Sequence, residues 1–344
     1  MTSTMTTVTT TSGERARAGS GPSARSTAVG EAGVTTSAKY AEQAAKSAGQ
    51  VVPAGSMAHF RIALAQIGPR LGDIAFNLQT HLAWIEHAAA QQADLVVFPE
   101  LSLSGYYLRD LVPQAAIHAD ASDPVFAQLL EASRRIDVAL GFVCEDERHR
   151  FTIAAAYLSA GALVHLHHKV YLPTYRLFDD ARYFGPGTQL RAFDTRLGRM
   201  GFLICEDAWH LSSGVVLWQD GADIFLHIAS NPGYGVRADL STLGNNGDLQ
   251  LINRAYAEML TVYVAHVNRV GVEDGITFFG GSSVTGPDGL VIASAPLLEE
   301  ALLGAEIDRP ALRRARATLP LLRDERPDLV LRELQRIRRA EAKR

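Results

Sequence analysis

The chain has 344 residues, 47% hydrophobic and 20% charged, with a formal net charge of -4. That is enough apolar material for one large domain or two small ones, and the charge balance gives no basis for a nucleic-acid or anionic-membrane partner. Two cysteines, Cys144 and Cys205, are too few for a disulfide framework and point to a reducing, cytoplasmic setting. There is no C-x-x-C pair and no H-E-x-x-H zinc pattern, and no apolar stretch approaches the roughly 20 residues of a membrane span.

Residues 1–56 are rich in Thr, Ser, Ala and Gly and contain no Leu, Ile, Phe or Trp. Such a segment buries too little apolar surface to offset the entropy of ordering, so it is expected to be a disordered leader. Globular texture begins at 57. Residues 60–67 form the first strand candidate, and 77–92 carry apolar residues at helical spacing. Residues 93–99 are a buried strand that stops at Glu100. A second amphipathic helix is expected over 124–136, then strands at 138–143, 153–158 and 162–168, the last ending at Lys169. The apolar run 199–204 stops at Cys205. A short helix over 215–220 leads to a strand at 224–229, then a helix at 249–259. Strands at 261–267, 282–285 and 291–294 follow, the last after a Pro287-Asp288-Gly289 turn. Early alternation of strands and helices, with hairpins later, predicts an α/β layered domain over 57–310 with a mixed sheet or two packed sheets. Residues 311–344 read as an Arg-rich helical arm docking at an oligomer interface.

Three of these strands end abruptly in charge or thiol: Glu100, Lys169 and Cys205. If the strands share a sheet, the three groups converge as base, oxyanion stabiliser and nucleophile, the parts needed for acyl transfer. Each also has a plain structural reading: a rim salt bridge for Glu100, a solvated strand end for Lys169, a packed thiol for Cys205. Cys144 is read as structural. A Cys–His pair using His165, His167, His168 or His210 is the competing arrangement and ranks below Glu100.

Phe98-Pro99-Glu100-Leu101-Ser102-Leu103-Ser104-Gly105-Tyr106, Lys169-Val170-Tyr171-Leu172-Pro173-Thr174-Tyr175 and Cys205-Glu206-Asp207-Ala208-Trp209 resemble, in order and spacing, the signature segments of the nitrilase superfamily of carbon–nitrogen hydrolases. The resemblance covers about residues 60–330. It implies an αββα sandwich, homodimers or higher homo-oligomers, and no metal or organic cofactor. It also implies a Glu100, Lys169, Cys205 triad, with the Glu206 backbone N–H as second oxyanion donor. Tyr171 to Tyr175, Phe178-Asp179-Asp180 and Cys205-Glu206-Asp207 are similar to the glutaminase domain of glutamine-dependent NAD synthetase. By that likeness Tyr106, Tyr175, Glu206, Ser230 and Arg237 hold the substrate.

Three features depart from that likeness. Where the family often carries a second glutamate this chain has Asp180, to which no role is assigned. Val267 to Glu273 and Phe278 to Ser282 look closer to N-carbamoyl amine amidases. No synthetase segment or Gly-rich nucleotide loop follows. The expected activity is therefore hydrolysis of a small primary amide, glutamine-like or N-carbamoyl, through a Cys205 thioester. A nitrile hydrolase and a partner-dependent glutaminase subunit are the alternatives. Specificity is expected to reside in loops around Tyr106, Arg176, Asn231 and Tyr234.

Overall fold

The computed structural model describes residues 57–234 and 244–342. The leader at 1–56 and Arg237 lie outside the described residues. The first half of the chain builds one sheet. Strands β1 (His59–Gln66), β2 (Leu95–Val97) and β3 (Asp137–Glu145) run parallel, and β4 (Phe151–Ser159) and β5 (Ala162–His168) extend the sheet antiparallel. The crossovers are helices α1 (Ile74–Ala90) and α2 (Pro124–Ala132). Asp73 starts α1 by accepting from the Phe76 N–H at 3.0 Å. Asp123 starts α2 by accepting from the N–H groups of Val125 and Phe126 at 2.9 and 3.1 Å. Pro124 takes the first helical position, where its missing N–H would have had no partner.

The second sheet repeats the plan. Its strands are β6 (Phe193–Thr195), β7 (Gly198–Ile204), β8 (Ile224–Ala229) and β9 (Tyr263–Asn268), with α3 (Leu211–Gln219) and α4 (Gly244–Leu260) as crossovers. A separate hairpin, β10 (Val270–Glu273) and β11 (Ile276–Phe279), precedes β12 (Ser283–Thr285) and β13 (Val291–Ser294). Strand β14 (Ala301–Asp308) then returns to the first sheet, antiparallel to β1. The two six-stranded orders are β14-β1-β2-β3-β4-β5 and β13-β12-β9-β8-β7-β6.

Alternation along the strands divides the core in three. Ile62, Leu64, Leu95 and Val97 meet Phe202, Ile204, Leu226 and Ile228 between the sheets. Ala63, Val96, Val138 and Leu140 face the other way, onto Leu78, Ile85, Phe126 and Leu129 of α1 and α2. Leu203, Phe225 and Val264 pack on Leu217, Trp218, Tyr256 and Ala257 of α3 and α4. A strand buried on both faces reads as a continuous apolar run, which is why β8 is Ile-Phe-Leu-His-Ile-Ala. The result is an αββα sandwich.

The premise that the three strands share one sheet is corrected. β2 and β5, which end at Glu100 and Lys169, lie in the first sheet, and β7, which ends at Cys205, lies in the second. Stacking of the sheets, not their edges, brings the ends together. Four further strands were not anticipated: β6, the β10–β11 hairpin and β14. Helix α5 (Arg309–Thr318) runs across the boundary placed at 310 and packs through Leu312 and an Arg316–Asp223 pair at 2.7 Å. Beyond it, α6 (Pro327–Glu341) leaves Leu329, Val330, Leu334 and Ile337 exposed. Among the described residues no helix is long and apolar enough to cross a membrane, and no cluster of His, Cys, Asp and Glu is arranged to hold a metal ion.

Candidate active site

Parallel strands direct their carboxyl ends to one rim, and each site residue occupies such an end. After β2 the chain continues through Phe98, whose N–H donates to the Ala139 carbonyl at 2.8 Å, and turns at Glu100. The turn lies directly on Gly141 of β3. A Cβ there would stand 2.6 Å from the Pro99 oxygen and 2.7 Å from Glu100 Cα. Lys169 follows β5, with its N–H donating to Ile153 at 2.8 Å and its carbonyl accepting from Gly187 at 2.7 Å. Cys205 opens a 3₁₀ turn, Cys205–Trp209, and has φ of +48°. This left-handed conformation is costly for a residue with a side chain and persists where the surroundings enforce it.

Lys169 and Glu100 are fully buried and Cys205 is 2% exposed. Lys169 Nζ donates to Glu100 Oε1 at 2.7 Å and to Asp180 Oδ2 at 2.8 Å. The other Asp180 oxygen accepts from the Tyr106 hydroxyl at 2.5 Å. Glu100 Oε2 is buried and has no hydrogen-bond partner among the described residues. Cys205 Sγ lies 3.7 Å from Asn231 Oδ1 and interacts electrostatically with Glu100, Lys169, Asp180 and Glu206. An acceptor oxygen without a partner, an ammonium and a thiol thus meet in a site closed to bulk water.

The charges follow from burial and neighbours. Burial raises the Glu100 carboxyl above the usual carboxylate range, Lys169 pulls it back, and the Asp180 charge pushes it up again. Burial disfavours the Lys169 ammonium, yet Asp180 and Glu100 more than offset this and hold it protonated. Burial and the Glu100 charge push the Cys205 thiol well up. Cys205 therefore rests as a thiol, and the Glu100 carboxyl, raised above the ordinary range, is a stronger base when ionised than a solvated one.

Of the residues read as substrate-holding, Tyr106 is buried and donates to Asp180, while its backbone N–H and that of Tyr107 donate to Glu273 Oε2 at 2.9 and 3.0 Å. Glu273 is itself held by buried Arg269, which lies over the Phe278 ring. Tyr175 is half exposed and donates to both Glu206 oxygens at 2.9 Å. Burial raises the Glu206 carboxyl, against Tyr175 and Lys169. The Ser230 hydroxyl donates to the Glu100 carbonyl at 2.8 Å, so it braces the Glu100 backbone. Arg176 lies over the Tyr234 ring at 5.2 Å.

The histidines of the competing arrangement make other contacts. His165 stacks on Phe193, His168 meets Thr152 Oγ1 at 2.8 Å, His210 stacks on Tyr171, and His167 meets Asp207 at 3.2 Å. Asp180 is the residue that sequence reasoning left without a role. It opens a one-turn helix, Asp180–Tyr183, eleven positions after Lys169, too short for any periodicity to mark it. Cys144 is buried at the end of β3, its thiol pushed up to about 12 by burial.

The sequence profile described as carbon-nitrogen hydrolase matches residues 61–317. The chain is 33% identical over 253 residues to a glutamine-dependent NAD(+) synthetase of Acinetobacter baylyi, covering 73% of this chain and 45% of that protein. It is 24% identical over 273 residues to an N-carbamoylputrescine amidase of Arabidopsis thaliana, covering 75% and 89%. Its fold superposes on the Acinetobacter baumannii glutamine-dependent NAD+ synthetase with a TM-score of 0.65 and 31% identity, covering 74% of this chain and 46% of that one. The chain therefore spans about half the length of the synthetases it matches.

Proposed function

The chain belongs to the carbon–nitrogen hydrolase family, and on that premise we propose that it is a thiol amidase releasing ammonia from a small primary amide. The observation that carries this reading is the buried, unpartnered Glu100 Oε2, with the other carboxylate oxygen held by Lys169 and Cys205 within electrostatic reach of both residues. Glu100 takes the thiol proton as Sγ attacks the amide carbonyl. Lys169 and the Glu206 backbone N–H receive the oxyanion. The tetrahedral adduct collapses to a Cys205 thioester, and ammonia leaves with the proton from Glu100. Glu100 then deprotonates a water that attacks the thioester, which frees the carboxylic acid and restores the thiol.

A glutamine-like substrate is favoured because Glu206 offers a carboxylate next to the nucleophile, fixed by Tyr175, that complements an ammonium on the acyl portion. Ammonia release from glutamine, asparagine, N-carbamoyl amines, ω-amides and simple nitriles tests this. Glutamine or a close amino-acid amide should be turned over fastest. Preference for a carbamoyl compound or a nitrile refutes the glutamine-like assignment, and no turnover of any class refutes the stand-alone amidase.

A further inference from the structure

Glu100 and Lys169 belong to one sheet and Cys205 to the other, so the reacting geometry depends on how the two sheets are registered at their carboxyl ends. We propose that Asp207 is the positioning residue that sets this register, by fastening the Cys205 turn to the backbone of the Lys169 loop. The inference rests on the reading of Cys205 as nucleophile.

Asp207 is fully buried. Its Oδ1 accepts from the backbone N–H groups of Val170 and Tyr171, both at 3.0 Å. Its Oδ2 accepts from the Ile204 N–H at 3.2 Å and faces His167 Nε2 at 3.2 Å. Val170 follows Lys169 directly, and Ile204 directly precedes Cys205. One carboxylate therefore ties the residue after the ammonium to the residue before the thiol. A carboxylate has about four acceptor sites, which this geometry uses on four donors, whereas an amide offers one oxygen and turns N–H groups toward the remaining donors. The left-handed Cys205 backbone also needs an external hold, and the Asp207–Ile204 bond lies one residue away from it.

A second buried carboxylate serves as the comparison. Asp137, at the start of β3, accepts from Tyr157 OH at 2.8 Å, Ser159 Oγ at 2.7 Å and Arg196 Nε at 3.1 Å. It is likewise buried and accepts from several donors, here side chains rather than backbone amides, and none of the site residues is among its partners. If Asp207 mattered only for stability, losing either carboxylate would have the same consequence.

The test uses the full chain, with ammonia release and the rate of Cys205 alkylation by iodoacetamide as readouts and Cys144 as internal reference. In Asp207→Asn, kcat and the alkylation rate should both fall about ten- to a hundredfold with KM changed less than about threefold. Asp137→Asn should lower the melting temperature and leave both readouts unchanged. The proposal is overturned if Asp207→Asn melts lower but keeps both. Should that variant not fold, His167→Phe removes one partner of the carboxylate, and a parallel loss of about two- to fivefold in both readouts is expected; no change overturns the proposal. Cys205→Ala separates the two claims. Turnover that survives it refutes the nucleophile, while the alkylation comparison still reports whether Asp207 governs the Cys205 thiol.

Discussion

Asp180 bridges Tyr106 and Lys169, one carboxylate oxygen accepting a 2.5 Å bond from the tyrosine hydroxyl and the other a 2.8 Å bond from the ammonium. The ammonium therefore has two carboxylate partners rather than one, and Glu100 is not its only counter-charge. Replacing Asp180 with Asn leaves Lys169 to pair with Glu100 alone, which makes Glu100 a weaker base. The expected result is a fall in kcat of about ten- to a hundredfold with a smaller change in KM. Steady-state kinetics on Asp180→Asn checks it, and unchanged kcat would count against the bridge.

The pH profile follows from the same cluster. Glu100 must be ionised to take the thiol proton, so activity is lost as pH falls through its pKa. Burial and Asp180 hold that pKa above the ordinary 4.5. The acidic limb of kcat/KM should lie above the usual carboxylate range in the native protein. In Asp180→Asn the raising charge is gone, and the limb should move to lower pH. A limb that stays in place, or moves up, contradicts this account of the base.

Gly141 is required by contact rather than by conformational freedom. An added Cβ would press on the Pro99 carbonyl and on Glu100 Cα at 2.6 and 2.7 Å, both backbone atoms that cannot swing aside. Gly141→Ala should displace the Glu100 turn, destabilise the fold by about 1–3 kcal/mol and reduce turnover at least about tenfold. Thermal melting together with ammonia release measures both effects. Full activity in a well-folded Gly141→Ala variant would show that the turn tolerates displacement.

Buried histidines set an acid limit on stability. Burial pushes His81, His168 and His227 down to about 4 and His165 to about 3, from an ordinary 6.5. At higher pH these groups are neutral in both states and contribute no pH dependence. Below about pH 6.5 the unfolded chain takes up protons that the folded chain cannot, so stability falls progressively toward pH 4. Melting temperatures across that window should decline steeply, and a flat profile would contradict neutral burial of these rings.

Much of the site was legible because the strand signal and the chemistry coincide. The buried apolar runs that stop at Glu100 and Cys205, and the half-buried run that stops at Lys169, mark both the strand and its candidate functional end. What was not legible depends on contacts between distant segments. β14 reads Ala-Leu-Leu-Gly-Ala-Glu-Ile-Asp, with weak alternation, and its pairing with β1 spans most of the chain. The division into two sheets has no local signature, since β5 and β7 are similar runs that fall on opposite sides of the sandwich. Ser230 was read as facing substrate, and the bond its hydroxyl donates to the Glu100 carbonyl had no mark in the sequence. Asp207 was read only as part of a motif, because nothing in sequence shows that its acceptors meet the amides of Val170 and Tyr171.

The central claim is that Cys205 carries the acyl group. Acid-quenching the protein during turnover of its best amide and measuring the mass of the Cys205 peptide tests it most directly. The account predicts a mass increase equal to the acyl portion on Cys205, absent from Cys144 and lost together with ammonia release in Cys205→Ala. Continued ammonia release from Cys205→Ala, with no adduct on the native protein, would contradict it.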